Sequence, residues 1–330
     1  MSYTSESVLK PGTSLSQVRE LVSLLGYRKV TDGLVVPGRT DSFFWFEEKD
    51  YRSFVGVELD IYRGARNRIT VGTRSRISRS YWDLTHQNRT LKLLRDFFGG
   101  HFRSDAGRNR YWRPDRKPPT PLASGCFIAR WRFNNALMRA KIYLDFRELK
   151  GDISKDKPSG FGFVDEMNPR LLSNNLLIPY VVAVWEDYFK STFTAAFRYS
   201  TQRELALKRA RLTHDQLEQI AAGSRSIERA VAETFTFQRP SAVAEYFKLL
   251  DPKLDIAGAL RKPYRRRRIS LYNSLESLVE GRHEFVHTGT INTGLFDAQL
   301  KKSLSDIEIA VDRAYEHIAS HYGFTTCYEF

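Results

Sequence analysis

Cysteine is scarce in this 330-residue chain: Cys126 and Cys327 are the only two, and they lie far apart. That excludes a disulfide framework and a cysteine-based zinc cluster, and it fits a reducing compartment. Long apolar runs are missing too; none approaches the roughly 20 residues needed to cross a bilayer. The opening MSYTSESVLKPGTSLSQ lacks the basic-then-apolar layout of a signal peptide, so the sequence predicts a soluble, cytoplasmic protein without membrane contact. No glycine-rich phosphate loop, nucleophile elbow or kinase signature occurs, and nothing in the composition implies a cofactor or a metal.

Acidic charge is under-supplied in the first half. Residues 1–150 carry 28 Lys/Arg against 15 Asp/Glu, whereas residues 151–330 carry 24 against 23, so nearly all of the net +14 belongs to one half. The stretch 63–117 is densest, with 15 basic and 4 acidic side chains, and Tyr81, Trp82, Phe97, Phe98, Phe102, Tyr111 and Trp112 are interspersed. Cations neutralise phosphates and aromatic faces stack on bases, so nucleic acid is the expected partner of this half. The candidate contacts are Arg63, Arg66, Arg68, Arg74, Arg76, Arg79, Arg108, Arg110 and Arg113. His86 and His101 have no ligand-like spacing and read as ordinary side chains.

At this length two domains are the expectation. The clearest punctuation is Gly151–Gly162, GDISKDKPSGFG, which predicts a basic α+β domain over 1–150, a linker over 151–162 and an all-α bundle over 163–330. In the first domain, Ser14 and Gln17 resemble a capping box before a short helix bearing Leu21, Leu24 and Leu25. Strands are expected at 42–47, 53–62 and 68–77, and a helix at 81–98; the segment 124–145 reads as strand at its start and helix at its end. After the linker, helices are expected over 174–199, with Pro179 at a start or bend, and over 224–235 and 242–250; Thr213 with Gln216 forms a second capping box. The last helix shows a four-three seam of Leu300, Leu304, Ile307, Val311, Ala314 and Ile318, the pattern of an antiparallel bundle.

A helix over 269–287 carries the stripe Leu271, Tyr272, Leu275, Leu278, Val279 and Val286, and Arg282 falls on it four residues beyond Leu278. A guanidinium on an inward stripe needs a salt-bridge partner or an anion. His283 and His287 share one face beside it. The four-arginine run Arg265, Arg266, Arg267 and Arg268 stands at the start of the same helix, too far from His287 to reach it, and suits a flanking stretch of RNA.

The run 280–289, EGRHEFVHTG, resembles the signature of the HEPN superfamily, in which an arginine and an adjoining polar residue precede a histidine near the end of a bundle helix. Helix order extends the resemblance over about 160–325. Arg282 matches the arginine, His283 the polar position and His287 the histidine; Thr288 displaces to Gly289 the glycine often found directly after the histidine. The resemblance implies a metal-independent endoribonuclease. An imidazole would take the proton of a ribose 2′-hydroxyl or give one to the leaving 5′-oxygen, and the guanidinium would stabilise the phosphorane. Products would be 2′,3′-cyclic phosphate and 5′-hydroxyl ends. It also implies a homodimer with two motifs facing one cleft, an orienting role for His283, and Glu186 in VWEDYF as a carboxylate that holds Arg282, with Glu284 and Thr288 as supporting residues. Such proteins commonly act as regulated toxins or antiviral effectors, restrained by a partner or a trigger molecule.

Two other readings compete. One is a non-catalytic RNA-binding adaptor that keeps the bundle to dimerise. In the other, 283–287 spells His-Glu-x-x-His, a zinc-binding helix with Glu284 as the base, whose third ligand would be Glu308, Glu316, His317 or His321. Arg282 puts a cation beside that metal and argues against it.

Overall fold

The computed structural model describes residues 2–31, 36–114, 117–149, 156–200 and 202–327. By backbone proximity the chain divides into two compact units, Met1–Ser124 with Cys327–Phe330, and Gly125–Thr326.

The first unit is an α+β fold built on a seven-stranded antiparallel sheet. Its strands are β1 (Tyr3–Val8), β2 (Arg28–Val30), β3 (Arg39–Trp45), β4 (Val57–Arg63), β5 (Ile69–Ser75), β6 (His101–Ser104) and β7 (Gly107–Arg108), in the order β2-β3-β4-β5-β1-β6-β7. The three strands expected from alternation are β3, β4 and β5. The four others were not anticipated: β2, β6 and β7 are too short for a pattern, and β1 (YTSESV) is too polar, with Ser5 and Ser7 at its inward positions. Ser5 is nevertheless satisfied there, 2.6 Å from the Thr73 hydroxyl on β5.

Helices α1 (Leu15–Leu24) and α2 (Tyr81–Phe98) cover one sheet face, and Val18, Val22 and Leu94 pack with Val57, Leu59, Ile61 and Val71. The Ser14 capping box does not form: its hydroxyl pairs with Ser16 at 2.7 Å, and Leu24 is exposed while Val18 and Val22 are buried. A capping box does form at α2, between Ser80 and the fully buried Asp83. Asp83 Oδ2 also accepts from the backbone N–H of Phe54 (3.1 Å) and Val55 (3.2 Å), which fastens the loop before β4 to the start of α2.

The second unit is helical. It comprises α3 (Pro121–Leu149) from Gly125 onward, α4 (Gly162–Glu166), α5 (Pro169–Tyr199), α6 (Glu204–Arg209), α7 (His214–Ala221), α8 (Ile227–Glu233), α9 (Pro240–Leu250), α10 (Ile256–Arg261), α11 (Leu271–Thr288) and α12 (Asp297–Tyr322). The ambiguous stretch 124–145 is helix throughout, and α3 belongs to this unit. The division therefore falls at Ser124/Gly125, ahead of the glycine-rich 151–162, of which residues 151–155 lie outside the described residues. The reason is packing. Phe133 of α3 meets Tyr188 of α5 (5.6 Å between ring centroids), Arg130 donates two hydrogen bonds to Asp312 of α12 (2.7 and 2.9 Å), and Lys141 pairs with Glu308 (2.7 Å).

Helix α5 starts at Pro169, where a missing N–H costs nothing, and runs on through Pro179. The Thr213–Gln216 capping box is present at α7. Every residue of the α12 seam, from Leu300 to Ile318, is buried. Among the described residues no helix is long and apolar enough to cross a membrane.

Candidate active site

Helix α11 starts at an N-cap, Ser270, whose hydroxyl accepts from the Asn273 N–H at 3.2 Å. Leu271, Leu275 and Val279, four residues apart, are its buried positions and seat it against α5 and α12. Arg282, three residues beyond Val279, is half-buried, and from there the helix emerges: His283, Glu284, Val286, His287 and Thr288 are all exposed. Val286, expected on the inward stripe, lies outside it, because the bundle ends before the helix does. Gly289 closes the helix in the left-handed region (φ 72°).

The loop that follows is tied back to α5. Asn175 Oδ1 accepts from the Asn292 N–H (2.9 Å), Asn175 Nδ2 donates to the Asn292 carbonyl (3.2 Å), and Asn174 Nδ2 donates to the Leu295 carbonyl (2.8 Å). Thr288 turns its hydroxyl onto the Glu284 carbonyl at 2.6 Å and lies 2.7 Å from the Thr290 hydroxyl. Thr288 is thus engaged in closing the helix, and Glu284 contributes its backbone.

The side chain of Arg282 is half-buried, and its Nε is fully covered with no hydrogen-bond partner. No carboxylate of the described residues pairs with it. Glu186, expected to hold it, instead accepts from Gln238 Nε2 at 3.1 Å; the neighbouring carboxylates Glu276 and Glu280 are bridged by Arg239 at 3.3 Å each. His283 and His287 stand with ring centroids 4.2 Å apart and planes tilted by 50°.

For the zinc alternative, none of the candidate third ligands Glu308, Glu316, His317 and His321 is grouped with His283 and His287. Among the described residues no group of three His, Cys, Asp or Glu side chains is placed to hold a metal. Glu308 is paired with Lys141, and His321 with Asp251 at 2.8 Å.

The arginine run belongs to the loop ahead of α11, with Arg265 and Arg266 at positive φ. Arg267 is bound by both nitrogens to the buried Asp306 of α12, which also accepts from Ser274 at 2.9 Å. It is an internal clamp, unlike Arg265, Arg266 and Arg268, which belong to the loop surface.

In the first unit Arg63, Arg66, Arg68, Arg108, Arg110 and Arg113 are exposed, the first three around the β4–β5 turn. Arg74 projects from the sheet face that the helices leave uncovered, in register with Thr4 and Glu58. Two others are engaged: Arg76 donates to Glu58 (2.7 Å), and Arg79 lies 3.6 Å above the Tyr3 ring, itself stacked on Trp112. Several of the interspersed aromatics serve the core. Phe102 and Trp112 are buried with Leu84 and Leu91, so they are not platforms for bases.

No family model, curated protein or solved structure matches the chain.

Proposed function

We propose that the helical unit is a metal-independent endoribonuclease of the HEPN kind, acting as a homodimer through Arg282 and His287. The observation that carries this reading is the end of α11: an arginine without a carboxylate partner among the described residues, followed by the exposed histidines His283 and His287, at a helix end whose following loop is tied back to α5. In the reaction His287 takes the proton of the ribose 2′-hydroxyl. O2′ attacks the adjacent phosphorus, the bond to O5′ breaks, and a second imidazole returns a proton to that oxygen. Arg282 offsets the charge that builds on the phosphorane oxygens, and His283 orients His287.

Helical geometry supports the dimer. At about 100° per residue, five positions turn Arg282 and His287 roughly 140° apart, so one helix does not aim both at the same phosphate. Two copies of α11 would bring the arginine of one against the histidine of its partner. Exposed apolar side chains, Val286 on α11 and Met138, Ile142, Phe146, Leu172 and Leu176 on α3 and α5, supply surface for such an association. By the same resemblance the role is that of a regulated toxin or antiviral effector.

The test is cleavage of total RNA and tRNA in excess EDTA. The wild type should leave cyclic-phosphate and 5′-hydroxyl ends, while His287→Ala and Arg282→Ala should each lose about 100-fold or more in rate with unchanged circular dichroism. RNA binding without cutting, equal in the wild type and both variants, would replace the nuclease by the adaptor.

A further inference from the structure

A cavity of about 510 Å³ opens in the first unit, one wall of it drawn from the basic stretch 63–117. Helix α2 forms one wall with Trp82, Thr85, His86 and Arg89, spaced as a single helical face. Trp45 and Glu47, at and beyond the end of β3, line it beside that wall, together with the turn at Gly26, held at φ 85°. Arg52 completes the rim. Its place is fixed by the loop that Asp83 fastens to α2, and its guanidinium lies 5.1 Å from the Trp82 ring centre.

Three features of this cavity bear on what it can hold. Neither Arg52 nor Arg89 forms an ion pair among the described residues, although Glu47 is close; the Glu47 carboxylate accepts from the Lys49 N–H at 3.0 Å. His86 is 8% exposed, and its Nε2 is buried without a hydrogen-bond partner. Trp45 stacks flat on the His86 ring (3.7 Å between centroids, 4° between planes). Burial, with help from the Arg89 charge, pushes the His86 pKa down to about 3, so the imidazole is neutral at working pH.

We infer that this cavity binds a mononucleotide, the base lying against the indoles of Trp45 and Trp82 and the phosphates meeting Arg52 and Arg89. The volume suits one nucleotide, since small-molecule sites span roughly 300–1,000 Å³. Two guanidiniums against one carboxylate favour an anion, while the indoles favour a flat aromatic. This assignment stands apart from the nuclease reading, which concerns the other unit.

Calorimetric titration of the full chain with ATP, GTP, CTP and UTP tests it, with adenosine and tripolyphosphate as controls. At least one nucleotide should bind with a dissociation constant on the order of 10–100 µM, and each control should bind roughly tenfold or more weakly. Arg89→Glu should weaken binding roughly tenfold or more, and since Arg89 is exposed that variant should keep its melting temperature. Trp82→Ala should weaken binding similarly. No heat from any nucleotide at millimolar concentration would overturn the assignment. So would tripolyphosphate binding as tightly as ATP, an oligonucleotide binding where mononucleotides do not, or Arg89→Glu binding like the wild type.

Discussion

Burying a histidine under a tryptophan ring has a cost that pH can read. In the folded chain His86 resists protonation down to about pH 3, whereas in the unfolded chain it takes a proton near 6.5. Between these values the unfolded state holds more protons, so stability falls as pH drops from 6.5 towards 3. Urea unfolding at pH 7 and pH 4.5 should show a loss of about 2 kcal/mol traceable to this group. In His86→Gln that portion of the acid sensitivity should vanish while the remainder, from carboxylates such as Asp41, persists; the Arg19 and Lys29 side chains hydrogen-bonded to Asp41 hold its pKa below the ordinary range. An unchanged pH dependence in His86→Gln would mean that the ring is reached by water in the folded state.

Among the elements, α3, α5 and α12 are joined by a buried polar knot as well as by their apolar seam. Asp297, the first residue of α12, is 3% exposed. It pairs with Arg147 of α3 and Arg170 of α5 (3.1 Å) and accepts from Asn174 (3.0 Å). Removing one member of a buried ionic cluster strands the others, at about 3–5 kcal/mol. Asp297→Ala should therefore destabilise the helical unit by that amount in denaturant titrations followed by far-ultraviolet circular dichroism. A change below about 1 kcal/mol would show the two arginines reaching water instead. The same knot anchors Asn174, next to the Asn175 bridge that holds the loop after His287, so cleavage should fall alongside stability.

For the molecule as a whole, the proposed chemistry makes an assembly prediction. Light scattering should report a mass near twice 38.2 kDa. Val286→Glu places a charge on the exposed apolar turn between Arg282 and His287, where it disturbs no core contact. It should shift the protein towards monomer and reduce RNA cleavage together, with the melting temperature unchanged. A monomeric wild type that still cuts RNA would remove the dimer from the mechanism.

Periodicity alone identified the strands at β3, β4 and β5, the extent of α2 and the seam of α12, because each is a local pattern repeated over several residues. It also placed Arg282, His283 and His287 on one helix. Tertiary structure decided the rest, since partners lie far apart along the chain. Glu186 meets Gln238 rather than Arg282, Arg267 finds Asp306, and the polar β1 becomes a central strand because β5 and β6 satisfy its backbone. The Trp82–His86–Arg89 face was present in the sequence as a helical spacing, yet only folding brings Trp45 and Arg52 to it. Charge asymmetry pointed to the arginines of 63–117, whereas the cavity draws on residues from four separated segments whose convergence no local pattern encodes.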